Sequence, residues 1–161
     1  MSRTATVSFG DRYFWTYDVS LSILVAETVA VAEELPSGHR PPWLAEMLTD
    51  LRVTAVVTDS GLSIGDGWPA EQVERFVGWV AEAGRRLAVR GTITEAEAYA
   101  WKVLDDHTVA WRGEATVDTG PVVQLAEAVI ALVNGTLPPP PDGHSWFYGL
   151  PDGPRTLPQP G

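Results

Sequence analysis

The chain has 161 residues, of which 45% are hydrophobic and 20% charged, as in an ordinary soluble domain large enough to bury an apolar core. It contains no cysteine, which excludes disulfide bonds, thiolate catalysis and metal sites that depend on cysteine. The formal net charge of -10 has the wrong sign for binding nucleic acid or an anionic membrane surface. No apolar run approaches the length of a membrane span and the N-terminus does not resemble a secretory signal, so we expect a cytoplasmic protein.

A β-hairpin is the first element that the sequence predicts. Thr4–Phe9 and Arg12–Tyr17 are rich in β-branched and aromatic residues, and Gly10-Asp11 between them is a turn pair. Because side chains alternate along a strand, three aromatic residues of the second strand share one face: Tyr13, Trp15 and Tyr17.

Helical spacing and capping residues predict the next elements. Ser20 is a suitable N-cap for a helix to about Leu35, and Pro41-Pro42 suits the start of a short helix to about Leu51. The β-branched run Val53–Thr58 predicts a strand.

A second hairpin is expected after that strand. Asp59-Ser60-Gly61 is a turn signal, and Leu62–Ile64 is expected to pair back on the preceding strand. A long helix from Pro69 to about Val89 follows, with Phe76 and Trp79 facing the core. Its outer face carries two ion pairs at i,i+4 spacing: Glu71 with Arg75, and Glu82 with Arg86.

The segment 92–117 allows two interpretations. The capping box Thr94-Glu95-Ala96-Glu97 predicts a helix to Leu104, followed by a strand interrupted at Gly113. The alternative is one long hairpin over the whole segment. A last helix is predicted from Gly120-Pro121 to Val133, with its C-cap at Asn134-Gly135.

These elements predict one α+β domain over residues 1–135, in which four to five helices pack on a mainly antiparallel sheet. Residues 136–161 hold eight of the thirteen prolines and predict an extended tail. We expect the aromatic cluster of that tail to dock on an apolar groove of the body; the alternative is a hook that inserts into a partner. The cluster consists of Trp146, Phe147 and Tyr148.

One motif resembles a hydrolase signature. Gly61–Gly65 spells G-x-S-x-G, and Asp105, Asp106 or Asp118 followed by His144 would complete the order Ser, Asp, His. A nucleophile elbow requires a helix directly after the serine, whereas here the predicted helix begins only at Pro69. We therefore predict that Ser63 is structural and that the chain has no catalytic residue.

Asp105-Asp106-His107 is the only place where carboxylates and an imidazole adjoin. At the end of the helix predicted over 94–104, such a cluster is compatible with a binding site, either a carboxylate that orients His107 as a general base or a weak pocket for a hard cation; the alternative is a solvated polar loop. The three histidines lack metal-ligand spacing, and no glycine-rich phosphate loop occurs. We therefore predict no metal and no cofactor.

The helix predicted over 20–35 carries a candidate docking face. Glu27 and Glu34 lie on nearly the same side of it, Glu33 adds a third charge, and no basic residue occurs between Arg12 and Arg40. Such a face predicts a site for a cationic partner, the alternative being a solvated surface that keeps the protein soluble.

Two functional hypotheses follow. The first is a small acidic protein-binding module, such as an inhibitor or immunity-type partner that neutralises a basic protein. The second is a small-molecule-binding or enzymatic α+β domain, in which an aromatic-lined pocket is closed by the Trp146–Tyr148 cluster. Its polarity would come from Asp106 with His107, or from Asp11 with Tyr13. A third possibility is that the protein is a structural subunit of a larger assembly. The sequence does not distinguish this possibility from the first hypothesis.

Overall fold

A computed structural model describes residues 4–159, which form five α-helices and nine strands. The first half of the chain runs β1 (Thr4–Phe9), β2 (Arg12–Tyr17), α1 (Asp18–Glu33), α2 (Leu44–Val56), β3 (Leu62–Ile64) and α3 (Ala70–Arg90). The second half runs β4 (Thr92–Thr94), α4 (Glu95–Ala100), β5 (Lys102–Leu104), β6 (His107–Thr108), β7 (Thr116–Asp118), α5 (Gly120–Asn134), β8 (His144–Tyr148) and β9 (Arg155–Pro158). The predicted α+β class and the predicted first hairpin are confirmed.

The main sheet is mixed, with the strand order β3-β1-β2-β8-β9. The pairs β1/β2 and β8/β9 are antiparallel, whereas β1/β3 and β2/β8 are parallel. The prediction of a mainly antiparallel sheet was wrong in this respect because helices separate each parallel pair along the chain. In particular, β3 does not form a second hairpin but lies beside β1.

Helix α1 forms the centre of the helical layer. It is buried around almost its whole circumference, because α2, α3 and α5 surround it together with the sheet. It begins at Asp18, two residues before the predicted cap. The Ser20 hydroxyl instead donates a hydrogen bond of 2.6 Å to the carbonyl oxygen of Gly149, so it links α1 to the end of β8.

The predicted extended tail is wrong. Residues 144–148 and 155–158 form a hairpin inside the main sheet, and the proline-rich segment 135–143 connects this hairpin to α5. Trp146 and Tyr148 pack against the core, and the ring of Tyr148 lies 5.0 Å from that of Phe14 in an edge-to-face arrangement. Strand alternation within 144–148 therefore outweighs the proline-rich composition around it.

The predicted strand over Val53–Thr58 is also wrong, because α2 continues to Val56. The helix presents an apolar face at helical spacing, and this face includes Leu48, Leu51 and Ala55, all of them buried. Burial of this face outweighs the β-propensity of the run.

In the segment 92–117 both interpretations are partly right. Thr94 caps α4 as predicted, since its Oγ1 accepts a hydrogen bond of 3.2 Å from the Glu97 amide. The helix ends at Ala100, however, and the hairpin β5/β6 follows it, while β4 and β7 pair around both. Among residues 4–159, no helix has the length and apolar character of a membrane span.

The long helix α3 agrees closely with its prediction. Phe76 is buried, and Trp79 is half-buried with its ring centroid 6.2 Å from that of Trp43. The predicted ion pairs along its outer face are present, and Gly91 ends it with a positive φ of 76°.

Candidate functional site

The face of the main sheet that points away from the helices carries an aromatic surface, which we call the outer face. Val7 and Phe14 alternate toward the helices and belong to the core. The large side chains of the outer face lie apart from that core cluster: Tyr13, Trp15, Leu157 and Phe147, the last of which is itself buried. Tyr13 is 42% exposed, and its ring meets that of Trp15 edge-to-face at 6.2 Å. Exposed apolar surfaces of this kind commonly mark interaction sites.

A polar network holds the Tyr13 side chain in position. Gln159 Nε2 donates hydrogen bonds to the Ser145 hydroxyl at 2.6 Å and to the Tyr13 hydroxyl at 3.2 Å. The two hydroxyl groups are themselves 3.2 Å apart. Leu157 and Pro158 complete a shallow groove of about 370 Å³ beside Tyr13 and Trp15.

The charge pattern of the sheet differs from that of the whole chain. No residue of the five strands is Asp or Glu, although the chain has 21 acidic residues. The only Arg side chains of these strands are those of Arg12 and Arg155. The outer face is therefore a surface without carboxylates on a strongly acidic protein.

An acidic groove adjoins this face at the end of β2. Tyr17 continues the alternation of Tyr13 and Trp15, and it also lines a groove of about 250 Å³. Glu114 and Asp118 lie in the same groove. We call this site the acidic groove; an aromatic wall and two carboxylates suit the side chain of a lysine or an arginine.

Two of the three glutamates of the predicted docking face, Glu33 and Glu34, are paired with arginines, contrary to the expectation behind that prediction. Arg86 donates two hydrogen bonds to Glu34, at 2.5 and 2.8 Å, and Arg52 forms an ion pair with Glu33. The arginines come from α3 and α2, which sequence spacing along α1 could not reveal. A binding role for Glu27 and Glu34 stays a prediction. Its basis is weaker, because the charge of Glu34 is already paired with Arg86.

The two glutamates differ in their surroundings. Hydrogen bonding from Arg86 lowers the pKa of Glu34 below its ordinary range. Burial raises the pKa of the half-buried Glu27, which outweighs the opposing effect of Arg90 and Arg86.

The Asp105-Asp106-His107 cluster does not lie at a helix end: Asp105 and Asp106 form the turn between β5 and β6, and His107 is the first residue of β6. All three side chains are exposed, and Asp105 adopts a positive φ of 52°, which aspartate tolerates in turns. They lie outside the two grooves described above, and the structure does not bring them to Trp146.

A third cleft, of about 350 Å³, lies between the β1–β2 turn and the proline segment. It includes Asp11, Tyr13 and Trp146, three residues that the sequence analysis assigned to a possible pocket. Trp146 Nε1 donates a hydrogen bond of 2.7 Å to the carbonyl oxygen of Pro138 and so holds the prolines against the sheet. Phe147 lies on the opposite side of β8.

The structure does not assemble a triad around Ser63. This residue is exposed on the edge strand β3, and α3 begins only at Ala70. His144 is on β8, three strands away, which places their backbones roughly 14 Å apart across the sheet. Within residues 4–159, no group of three His, Asp or Glu side chains is arranged to hold a metal ion.

Sequence reasoning missed Leu157 and Gln159, because they lie in the segment that was interpreted as an extended tail. It also missed Glu114, which is distant in sequence from Tyr17. Comparisons of the chain with protein families, curated proteins and solved structures found no match in any of the three.

Proposed function

We propose that this protein is a protein-binding module. Its partner would dock an apolar surface on the outer face and insert a lysine or arginine side chain into the acidic groove. The observation that carries the proposal is the aromatic surface of the exposed Tyr13 and the half-buried Trp15, which lie outside the core and beside Tyr17, whose groove contains two carboxylates. An inhibitor of a basic protein would use a surface of this kind.

The chemistry of the partner follows from the two parts of the site. Aromatic side chains at the centre of an interface supply most of the binding energy, since they remove large apolar areas from water. The remaining surface of the protein is acidic, so it repels acidic proteins and steers a basic partner toward the site. The acidic groove then fixes the orientation of that partner.

Site-specific photo-crosslinking tests the location of the surface. Benzoylphenylalanine is placed at Leu157, on the outer face, and in a second variant at Tyr99, which is 56% exposed on α4. In the source cells we expect the first variant, and not the second, to crosslink to another protein. A product that contains only a second copy of this chain, or no product, would contradict the proposal.

Matched substitutions then test the energetics with the purified partner. We expect Tyr13→Ser to weaken binding about tenfold or more, and Tyr99→Ser to change it by less than about twofold. We expect Glu114→Gln to weaken binding mainly at low salt, whereas Glu127→Gln on α5 has no effect. If Tyr13→Ser bound the partner as tightly as Tyr99→Ser, and Glu114→Gln as tightly as Glu127→Gln, the interface would lie elsewhere on the protein.

A small-molecule-binding role is a second candidate, favoured by the meeting of Asp11, Tyr13 and Trp146 in one cleft of about 350 Å³. Its volume falls within the range of small-molecule sites. A metabolite that raises the melting temperature of the protein, but not that of Trp146→Phe, would support it.

A further inference from the structure

Strand β7 has an open edge at the acidic groove. Within residues 4–159 it pairs with β4 alone, and each of its three residues, Thr116–Asp118, lines the groove. Side chains alternate between the two faces of a strand. A groove that follows three consecutive residues therefore runs along the edge of the strand and not over one of its faces, and this edge is where a further strand would add.

The hydrogen bonds between β7 and β4 define which backbone groups face β4. The Glu95 amide donates to the carbonyl oxygen of Ala115 at 3.0 Å. At the other end, the Thr119 amide donates to the carbonyl oxygen of Gly91, also at 3.0 Å. Opposed residues of antiparallel strands alternate between pairs that exchange hydrogen bonds and pairs that do not. Ala115, Val117 and Thr119 therefore direct their backbone groups toward β4.

Thr116 and Asp118 occupy the alternate positions of the strand. Their N–H and C=O groups point away from β4 by the same alternation, so the open edge presents two amides and two carbonyls. Both residues are exposed. Such a row of backbone groups is a template for an extended segment of another chain.

The charges at the groove favour a basic segment. Glu114 and Asp118 are exposed, and none of the described residues that line the groove is Lys, Arg or His. Tyr17 contributes an aromatic ring, which can pack against the stem of a lysine or arginine and contact its charge. The volume of about 250 Å³ is below the roughly 300–1,000 Å³ of typical small-molecule sites, so the groove favours part of an extended chain.

We propose that the partner adds an extended segment to β7 as a third strand, with a lysine or arginine side chain between Glu114 and Asp118. This inference rests on the proposed docking function and gives the form in which the partner occupies the acidic groove. Hydrogen bonds to Thr116 and Asp118 would bind the backbone of the segment, and the two carboxylates would select a basic side chain.

Capped pentapeptides test the strand addition. The basic probe is Thr-Val-Lys-Val-Thr, the uncharged control is Thr-Val-Gln-Val-Thr, and a third peptide is the basic probe with every backbone amide N-methylated. We expect the basic probe to bind with a dissociation constant below about 10 mM in an NMR titration, and the uncharged control to bind about two- to fivefold more weakly. The N-methylated peptide should not bind, because it cannot donate to the edge.

Solvent exchange of backbone amide protons then locates the added strand. With saturating basic probe, we expect the amides of Thr116 and Asp118 to exchange at least about threefold more slowly. The amide of Thr92, on the far edge of β4, should be unchanged. We expect Asp118→Asn to weaken binding about two- to fivefold, and Asp66→Asn, which alters an exposed aspartate outside the groove, to have no effect.

Three results would each overturn the strand addition: equal binding of the N-methylated peptide, unchanged exchange at Thr116 and Asp118, or equal affinities of Asp118→Asn and Asp66→Asn. Failure of the docking function is detected separately, by the crosslinking at Leu157. A basic partner that crosslinks there, combined with no binding of the probe at β7, would support the docking function and reject the strand addition. Binding of the probe at β7 without any crosslink at Leu157 would support the edge as a peptide site and contradict docking on the outer face.

Discussion

Glu27 lies on α1 and Glu34 caps the end of that helix, yet their side chains have opposite effects on stability. Burial raises the pKa of Glu27, so its charged form is disfavoured in the folded protein. Its contribution to stability is greatest below the ordinary pKa of 4.5 and is lost as the pH rises through the raised value. Glu34 has a lowered pKa because of Arg86. Its contribution is present above 4.5 and is lost as the pH falls through the lowered value.

We therefore predict that Glu27→Gln raises the melting temperature at pH 7 by about 1 to 3 °C, because it removes a partly desolvated charge. The gain should disappear below pH 4.5, where the wild-type side chain is itself protonated. Thermal melts between pH 3 and 8 measure the effect. A lower melting temperature at pH 7 would show that attraction to Arg90 and Arg86 outweighs desolvation.

Glu34→Gln is the matched variant, with the opposite expected sign. It should lower the melting temperature at pH 7 and resemble the wild type only at acidic pH, below the lowered pKa. Added salt should reduce its effect, since the pair with Arg86 is exposed.

The residue-scale predictions from sequence succeeded where partners are close along the chain. Glu71 and Arg75 pair at i,i+4 within one helix, and Thr94 caps the helix that follows it. The pairing of Glu34 with Arg86 joins two helices across 52 positions, and no periodicity encodes such a contact.

At the scale of elements, Gly149 is the point where β8 meets α1. Its φ of +82° is a conformation that other residues rarely adopt, and a Cβ there would lie 2.9 Å from Thr16 Oγ1 and 3.0 Å from Ser20 Cβ. The carbonyl of Gly149 also accepts the hydrogen bond from Ser20. A side chain at this position would therefore separate the last hairpin from the helical layer.

We predict that Gly149→Ala lowers the free energy of unfolding by about 2–4 kcal/mol, the sum of backbone strain and overpacking. Gly143→Ala is the control, because Gly143 has a similar φ of +74° but no atom within 4 Å of the position that a Cβ would take. Only the strain of about 1–2 kcal/mol should remain there. Denaturant titration of both variants measures the difference, and equal losses would show that the contact with Ser20 relaxes without cost.

Elements with strong local signals were predictable, and elements defined by distant pairing were not. The first hairpin agrees with its prediction at both ends, because Gly10-Asp11 and the β-branched strands are local features. The strand β8 was missed because prolines surround it, although its own residues alternate in burial. The candidate site was partly predictable, since Tyr13, Trp15 and Tyr17 were placed on one face, whereas Leu157 joins them only through the pairing of β9 with β8.

At the scale of the whole molecule, charge and apolar surface are segregated. The helices, the loops and the small two-stranded sheets carry every Asp and Glu, and the main sheet carries none. This arrangement lets the protein remain strongly acidic while it presents an aromatic face without carboxylates. It also makes the integrity of the sheet a condition for both stability and the proposed docking surface.

Residues 136–161 complete that sheet. Their deletion removes β8 and β9, together with the packing of Trp146 and Tyr148 on the core. The buried ring of Phe147 is also lost, and full burial of such a ring contributes about 1.5–3 kcal/mol, a large share of the roughly 5–15 kcal/mol that stabilises a domain. The deletion also leaves β2 as an open edge with Phe14 uncovered, and such edges promote aggregation.

We therefore expect the truncated chain to lose its cooperative thermal transition or to aggregate, as measured by circular dichroism and analytical ultracentrifugation. Trp146→Phe is the control, since it keeps the strand pairing and most of the apolar contact; it should retain a cooperative transition at a moderately lower temperature. If the truncated chain instead remained monomeric and melted as the full chain does, β8 and β9 would be dispensable for the body. The outer face would then have to be studied as an addition to an already complete fold, because Phe147 and Leu157 of that face would lie on a hairpin that the rest of the domain does not need.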